Sequence, residues 1–417
     1  MKYTFEAPET IKATINLPAS KSISNRALII YALSGGTVIP ENLSDCDDTD
    51  VLLKALRDMP DVIDIKASGT AMRFLTAYLS ATDGEHVITG TDRMKQRPIR
   101  VLVDALRSIG ADITYEEREG YPPLRINGRK LRGGHVEVSG DVSSQYISAL
   151  LMIGPNLEKG IELKLVGDVV SRPYIDLTLC TMKSFGVEAE WEDVNTVNVK
   201  PSGYKPSRFF IENDWSAASY WYEMVALSRS EDTELRLQGL TDGSRQGDSA
   251  VKYLFSMLGV KTVFGTRELG VPTEVTLRRM GRGTTRLDYD FSNQPDLAQT
   301  FVVCCALMDV KFRFTGLASL KIKETDRVAA LKTEMRKLGF VVRETGAGEL
   351  SWNGERCQPA EDMTINTYDD HRMAMAFAPA TILFPQLKIN NPEVVSKSYP
   401  HFWKDLEAAG FVINEEE

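Results

Sequence analysis

The chain has 417 residues, 43% of them hydrophobic and 26% charged, with a formal net charge of −9. That length is too great for one ordinary core and predicts two domains. The acidic balance excludes a general nucleic-acid or anionic-membrane surface, and the longest apolar stretch, Phe301 to Met308, is far too short for a membrane span.

The elements follow in chain order. A first strand, Ile11 to Leu17, precedes a helix beginning near Ser22 and fits either half of the chain. Val51 to Met59 reads as a helix stopped by Pro60, and an Ala-rich helix begins near Gly69. Ile99 to Gly110 is an amphipathic helix ending on glycine, followed by the strand-like Ala111-Asp-Ile-Thr114. The same phrase recurs as Asp176 to Gly186 with Val187-Glu-Ala-Glu190, and as Val251 to Gly259 with Val260-Lys-Thr-Val263. It returns as Ala330 to Gly339 with Phe340-Val-Val-Arg343, and as Phe402 to Gly410 with Phe411-Val-Ile413. Each glycine stands where a left-handed helix C-cap belongs, and each following run alternates as a strand should. A second, Ala-rich helix precedes each copy, beginning near Ser22, Gly69, Ser143, Trp215, Pro295 and Asp370. Close packing of small residues predicts that these six are interior and the glycine-terminated ones exterior. The repeat is a β-α-β-α-β-β unit of about 70 residues. The turn-rich Pro201 to Arg208 falls after the third unit.

Lys21-Ser22 with Arg26, Arg97, Ser143-Ser144-Gln145, Lys323 to Arg327, Asp370-His371-Arg372 and Lys397-Ser398 sit ahead of, or inside, the first turns of these apolar runs. Helix starts offer unpaired N–H groups and a positive dipole end, so starts carrying Lys, Arg and Ser suit a multiply anionic ligand. The five cysteines show no C-x-x-C, the histidines no H-x-x-x-H, and neither a metal nor another cofactor is expected. Vicinal Cys304-Cys305 in an apolar helix pattern predict buried thiols. Met1 to Glu6 resemble neither a signal nor a transit peptide, so a cytoplasmic monomer without membrane or nucleic-acid partners is expected.

Leu17-Pro-Ala-Ser-Lys21-Ser-Ile-Ser-Asn-Arg26-Ala-Leu28 closely resembles the Lys-Ser segment of the 5-enolpyruvylshikimate-3-phosphate (EPSP) synthases. Ser68-Gly-Thr-Ala-Met-Arg73, Arg93-Met-Lys-Gln-Arg-Pro98, Val142-Ser-Ser-Gln145, Ser171-Arg-Pro-Tyr174, Gln246-Gly-Asp248, Lys323-Glu-Thr-Asp-Arg327 and Asp369-Asp-His-Arg-Met373 extend the resemblance, in order, over nearly the whole chain. It implies an α/β fold of two inside-out barrels, each of three βαβαββ units. Residues 1–19 with 213–417 would form one domain and 20–212 the other, hinged at crossings near 17–20 and 208–214, with closure over the substrates. The implied reaction moves the enolpyruvyl group of phosphoenolpyruvate to the 5-hydroxyl of shikimate 3-phosphate.

By the same resemblance Lys21, Arg97, Gln145 and Lys397 would share the phosphate of phosphoenolpyruvate, with Gly69 and His371 beside it. Arg327 and Arg372 would grip its carboxylate, for which planar guanidinium forks are suited. Lys21, Ser22, Arg26, Ser143, Ser144, Gln145, Ser171, Tyr174, Ser319 and Lys323 would hold shikimate 3-phosphate. Asp296 would accept from its ring hydroxyls and is the first candidate for base, Glu324 is the candidate acid for the methylene carbon, with the assignment between the two carboxylates open, and Lys21 would lie near the reacting hydroxyl. The chain departs from the family at Ala67-Ser68, at Phe74 after Arg73, and at Ser319, where many members have asparagine. A sister family transfers enolpyruvyl to UDP-N-acetylglucosamine, but its reactive cysteine has no counterpart in Arg93 to Arg97.

Overall fold

The computed structural model describes residues 1–281 and 283–416. The chain divides into two compact units, 19–211 and 1–18 with 212–417. The helices of the first are α1 (Lys21–Leu33), α2 (Asp47–Asp58), α3 (Gly69–Ser80), α4 (Asp92–Lys95), α5 (Arg100–Ser108), α6 (Ser144–Ile153) and α7 (Arg172–Ser184). The second unit holds α8 (Trp215–Leu227), α9 (Val251–Met257), α10 (Ala298–Leu307), α11 (Arg327–Lys337), α12 (His371–Phe377) and α13 (Phe402–Ala408).

The division of helices into interior and exterior follows their composition. Every residue of α10 and α12 is buried, as is all of α3 except Tyr78 and all of α8 except Ser216. By contrast α5 buries Leu102, Val103, Ala105 and Leu106 and exposes Arg100, Asp104, Arg107 and Ser108, a single apolar stripe. The glycines that end these outer helices, Gly110, Gly186, Gly259, Gly339 and Gly410, all have φ between 82° and 105°. That left-handed residue lets the next N–H reach back to the last turn: Ala111 N donates to Leu106 O at 3.0 Å, and Phe340 N to Met335 O at 3.0 Å. After α2, Met59 takes the left-handed conformation itself (φ 39°) ahead of Pro60.

Among the described residues, five four-stranded sheets share one pattern, a parallel pair extended by two antiparallel pairings. In the 19–211 unit, Val62–Asp64 runs parallel to Gly84–Thr89, which is followed by Leu124–Gly128 and Asp112–Tyr115. Gly134–Ser139, Ile161–Val166, Thr196–Val199 and Ala189–Trp191 repeat it. A parallel pair needs a crossover, and α3 and α6 supply one each. The N-terminal strands complete two sheets of the other unit: Lys12–Asn16 pairs in parallel with Glu234–Thr241, and Lys2–Glu6 lies between Lys388–Asn390 and Val412–Glu416. Phe5, Ile11, Ile15 and Leu17 join the core containing Trp215, Phe301 and Phe402, whereas Leu28, Phe74, Leu150 and Phe185 belong to the core of the 19–211 unit.

One expectation needs correction. The first copy of the repeat has its two helices, α1 and α2, but no sheet of its own among the described residues; an isolated parallel bridge between Glu41 and Phe210 stands there instead. Gly35 and Gly36, both at positive φ, and Pro40 occupy the stretch where an extended strand would have to form. No helix of the described residues is long and apolar enough to cross a membrane.

Candidate active site

In the 19–211 unit the motif residues gather around helix N-termini. Lys21 opens α1 and its Nζ lies 3.0 Å from Asp48 Oδ2. Arg26, one turn on, is fully withdrawn from solvent. Its Nε donates to Thr178 Oγ1 at 2.7 Å, Nη2 to Ser148 Oγ at 3.1 Å and Nη1 to the carbonyl of Ser22 at 2.9 Å. Burial pulls this guanidinium down to about 10, against the opposing influence of Tyr174. Its Cζ lies 5.5 Å from the centroid of the Phe74 ring, which gives that departure from the family pattern a packing role.

Ser68 caps α3 by accepting from Ala71 N at 3.3 Å, which leaves Gly69 as the first helical residue. The glycine lets Arg97 approach closely, since a Cβ on Gly69 would lie 2.7 Å from Arg97 Nη1 and 3.0 Å from Nη2 and would displace the guanidinium. Gln145 Nε2 donates to Thr70 Oγ1 at 3.0 Å, tying the first turn of α6 to that of α3. Ser143 is the cap of α6, accepting from Gln145 N, and Ser144 is its first residue. Ser171 precedes α7 in a left-handed conformation (φ 56°), and its carbonyl accepts from Tyr174 N at 3.0 Å.

In the other unit Asp296, Lys323, Glu324, Arg327, Arg372 and Lys397 form a single ion-pair network. Arg327, the first residue of α11 and 1% exposed, donates through Nη1 to Asp296 Oδ1 at 3.1 Å and through Nη2 to Glu324 Oε2 at 2.9 Å. It also holds Asp370, with Nε to Oδ2 at 2.6 Å. Arg372 takes the second oxygen of Asp296 at 2.9 Å and reaches Tyr220 Oη at 3.4 Å. Lys397 Nζ lies 3.3 Å from Glu324 Oε1, and Lys323 Nζ lies 3.9 Å from Asp296. Burial pulls the Arg327 guanidinium down, but Asp370, Glu324 and Asp296 together outweigh it and leave it raised. The arrangement is therefore a low-dielectric cluster in which guanidinium N–H groups donate to carboxylate oxygens, twice from Arg327 to Asp370.

Local sequence explains these positions. Asp326 caps α11 by accepting from Ala329 N at 3.0 Å, which fixes Arg327 in the first turn. Asp370 caps α12 by accepting from Arg372 N at 2.9 Å, and His371 follows it in the same buried turn. Asp296 sits in the short turn Pro295–Leu297 and sends its carboxylate to the two arginines. Lys397 ends the short helical turn Pro392–Lys397, shortly ahead of α13 at Phe402. Ser319 is half-buried in the turn Ala318–Ile322 and does not enter the ion-pair network.

Three residues were given no role beforehand. Asp48 holds Lys21 and Asp370 holds Arg327. Asp248, buried, accepts from the Ser216 hydroxyl. Burial and the nearby charge of Asp296 push Asp248 up to about 7, with Arg372 opposing. Asp248 and Asp370 stand inside quoted motifs, so the signal was present, but only the folded chain shows what each carboxylate meets.

The family model described as EPSP synthase (3-phosphoshikimate 1-carboxyvinyltransferase) matches residues 5–63 and 58–406. A 3-phosphoshikimate 1-carboxyvinyltransferase of Bacteroides fragilis is 58% identical over 413 residues, covering 99% of both chains. The chain belongs to the EPSP synthase family. One from Photobacterium profundum is 36% identical over 432 residues, covering 97% of each. The fold is that of solved EPSP synthases: the Acinetobacter baumannii structure matches at a TM-score of 0.78 over 99% of this chain and 100% of its own, at 21% identity. The enolpyruvyl transferase NikO from Streptomyces tendae matches at 0.76 over 99% and 98%, at 15% identity. Against that EPSP synthase background, the paired arginines around Asp296 are the feature that bears most directly on chemistry.

Proposed function

We propose that the chain is a 3-phosphoshikimate 1-carboxyvinyltransferase of the shikimate pathway, joining the enolpyruvyl group of phosphoenolpyruvate to the 5-hydroxyl of shikimate 3-phosphate and releasing phosphate. The observation that carries the assignment of roles is Asp296 held between Arg327 and Arg372, with Glu324 bridging Arg327 and Lys397.

Arg327 and Arg372 take the carboxylate of phosphoenolpyruvate. Lys21, Arg97, Gln145 and Lys397 take its phosphate, beside Gly69 and His371. Ser143 and Ser144, at the start of α6, suit the 3-phosphate of the acceptor, which Lys21, Ser22, Arg26, Gln145, Ser171, Tyr174, Ser319 and Lys323 also hold. Asp296 takes the proton of the 5-hydroxyl as its oxygen bonds to the central carbon of phosphoenolpyruvate. Glu324 delivers a proton to the methylene carbon. The C–O bond to phosphate then breaks as a methyl proton returns to the Glu324 carboxylate, which regenerates the enol ether. Glu324 lies between Arg327 and Lys397, the two cations assigned to the carboxylate and phosphate of phosphoenolpyruvate, and so stands beside the carbon it is to protonate.

Residues of both units carry these roles, so neither unit alone should turn over. We read the units as the two three-unit inside-out barrels of the family, bounded near 19 and 213. The test is phosphate release from phosphoenolpyruvate with each of two acceptors. Turnover with shikimate 3-phosphate and none with UDP-N-acetylglucosamine is the expected result; the reverse would move the chain to the sister activity.

A further inference from the structure

Helix α11 carries Arg327 at its start and a second, fully buried carboxylate two turns later, Glu334. A buried carboxylate is unfavourable unless it is paired and hydrogen-bonded. Here Oε1 accepts from the Tyr368 hydroxyl at 2.6 Å, and Oε2 accepts from the backbone N–H of Asn366 at 3.2 Å. Oε2 also lies 2.7 Å from Lys337 Nζ, which in turn donates to the carbonyl of Thr364 at 2.8 Å. The bonds to Tyr368, Asn366 and Thr364 fix the segment that leads into α12, and the Glu334–Lys337 pair within α11 holds the two side chains that make them.

That segment is conformationally costly. Tyr368 and Asp369, consecutive and neither of them glycine, both have φ of 55°. Such a turn persists only where its surroundings hold it. Directly after it come Asp370, which caps α12 and grips Arg327, and Arg372, which grips Asp296. Helix α11 therefore clamps the turn at two points, Arg327 on Asp370 and Glu334 on Tyr368.

We propose that Glu334 is a positioning residue, acting through the Tyr368 hydroxyl to hold the left-handed turn that sets Asp370, Arg327 and Arg372 in register for the carboxylate of phosphoenolpyruvate. This rests on the functional reading above. Tyr368→Phe removes only the hydroxyl and is the variant least able to disturb folding. Glu334→Gln offers one carbonyl oxygen where the turn needs two acceptors.

Both variants and their double should be compared with the parent by steady-state kinetics and by amide hydrogen exchange over 366–373. The expected result is a rise of about tenfold or more in KM for phosphoenolpyruvate, the scale of a lost hydrogen bond to a buried charged group. The KM for shikimate 3-phosphate should stay within about twofold. The double variant should be no worse than the more affected single, because both act through one contact, and exchange should quicken within 366–373 alone. A rise below about threefold in both singles, an equal rise for both substrates, or additive losses would overturn the proposal. A lower Tm without the kinetic split would leave Glu334 a purely structural residue and also overturn it. A parent that released no phosphate would sink the functional reading instead, and the exchange comparison would still decide the clamp.

Discussion

Arg327 Nε donates to Asp370 Oδ2 at 2.6 Å, between side chains that are 2% and 0% exposed. Asp370 is the partner of Arg327 that also caps a helix, so it links the start of α11 to the start of α12. Asp370→Asn keeps a cap acceptor but removes the charge. Breaking a buried ion pair from one side costs about 3–5 kcal/mol, and the lower figure is expected because Asp296 and Glu324 still hold Arg327. Denaturant unfolding checks the stability, and KM for phosphoenolpyruvate should rise as the guanidinium is freed to turn. A variant with unchanged stability and KM would show the contact to be idle.

Gly69→Ala tests the contact between the first turn of α3 and Arg97. The added methyl would lie 2.7 Å from Nη1, so the arginine has to move. The terminal groups of arginine can yield, which limits the loss of stability to about 1–3 kcal/mol. The displaced guanidinium is one assigned to phosphate, so the affinity for phosphoenolpyruvate should fall clearly more than the affinity for shikimate 3-phosphate. Calorimetric titration of each ligand distinguishes this from general damage, which would lower both.

Much of this architecture was readable from the chain. Gly110, Gly186, Gly259, Gly339 and Gly410 marked helix ends because a left-handed C-cap is a local demand that glycine meets at little cost. The Ala-rich helices announced their burial for an equally local reason. What stayed hidden depends on distant partners. Composition alone lets Lys12–Asn16 fit either half, and its particular partner, Glu234–Thr241 in parallel, is seen only in the fold. Glu334 looks like any solvent-facing glutamate of an amphipathic helix until Tyr368 and Asn366 fold against it. The first repeat misled because the periodicity of α1 and α2 is genuine, while the strands expected with them are not there among the described residues.

Asp248 predicts a pH dependence of stability. Its ordinary value is 3.8, and burial followed by the Asp296 charge raises it to about 7. A carboxyl raised in the folded state binds its proton more tightly there than when unfolded. Its contribution is therefore complete below about pH 4 and is lost as pH rises to about 7, after which it is constant. Asp248→Asn cannot ionise, so the difference in Tm between variant and parent should shift in the variant's favour from pH 5 to pH 7. A difference that stays flat across this window would show that Asp248 does not titrate within it.

The last prediction concerns the two carboxylates assigned to proton transfer. Asp296 receives hydrogen bonds from Arg327 and Arg372, and Glu324 lies between Arg327 and Lys397. Asp296→Ala and Glu324→Ala should each lower kcat by about 10²–10⁴-fold, the usual contribution of a positioned acid or base. Shikimate 3-phosphate binding should weaken far less, because most of its assigned contacts lie elsewhere in the sequence. The conservative variants sharpen the test. Asp296→Asn and Glu324→Gln retain an acceptor oxygen for the arginines but cannot exchange a proton at that atom. If the two residues serve only to orient Arg327 and Arg372, the amides should recover most of the activity that alanine removes. If they move protons, the amides should be nearly as slow as alanine while keeping a near-normal KM. Single-turnover measurement separates the steps further: loss of Glu324 should slow protonation of the methylene carbon, and a solvent isotope effect on that step should change with it. An amide variant that turned over at close to the parent rate would remove its residue from the proton-transfer assignment.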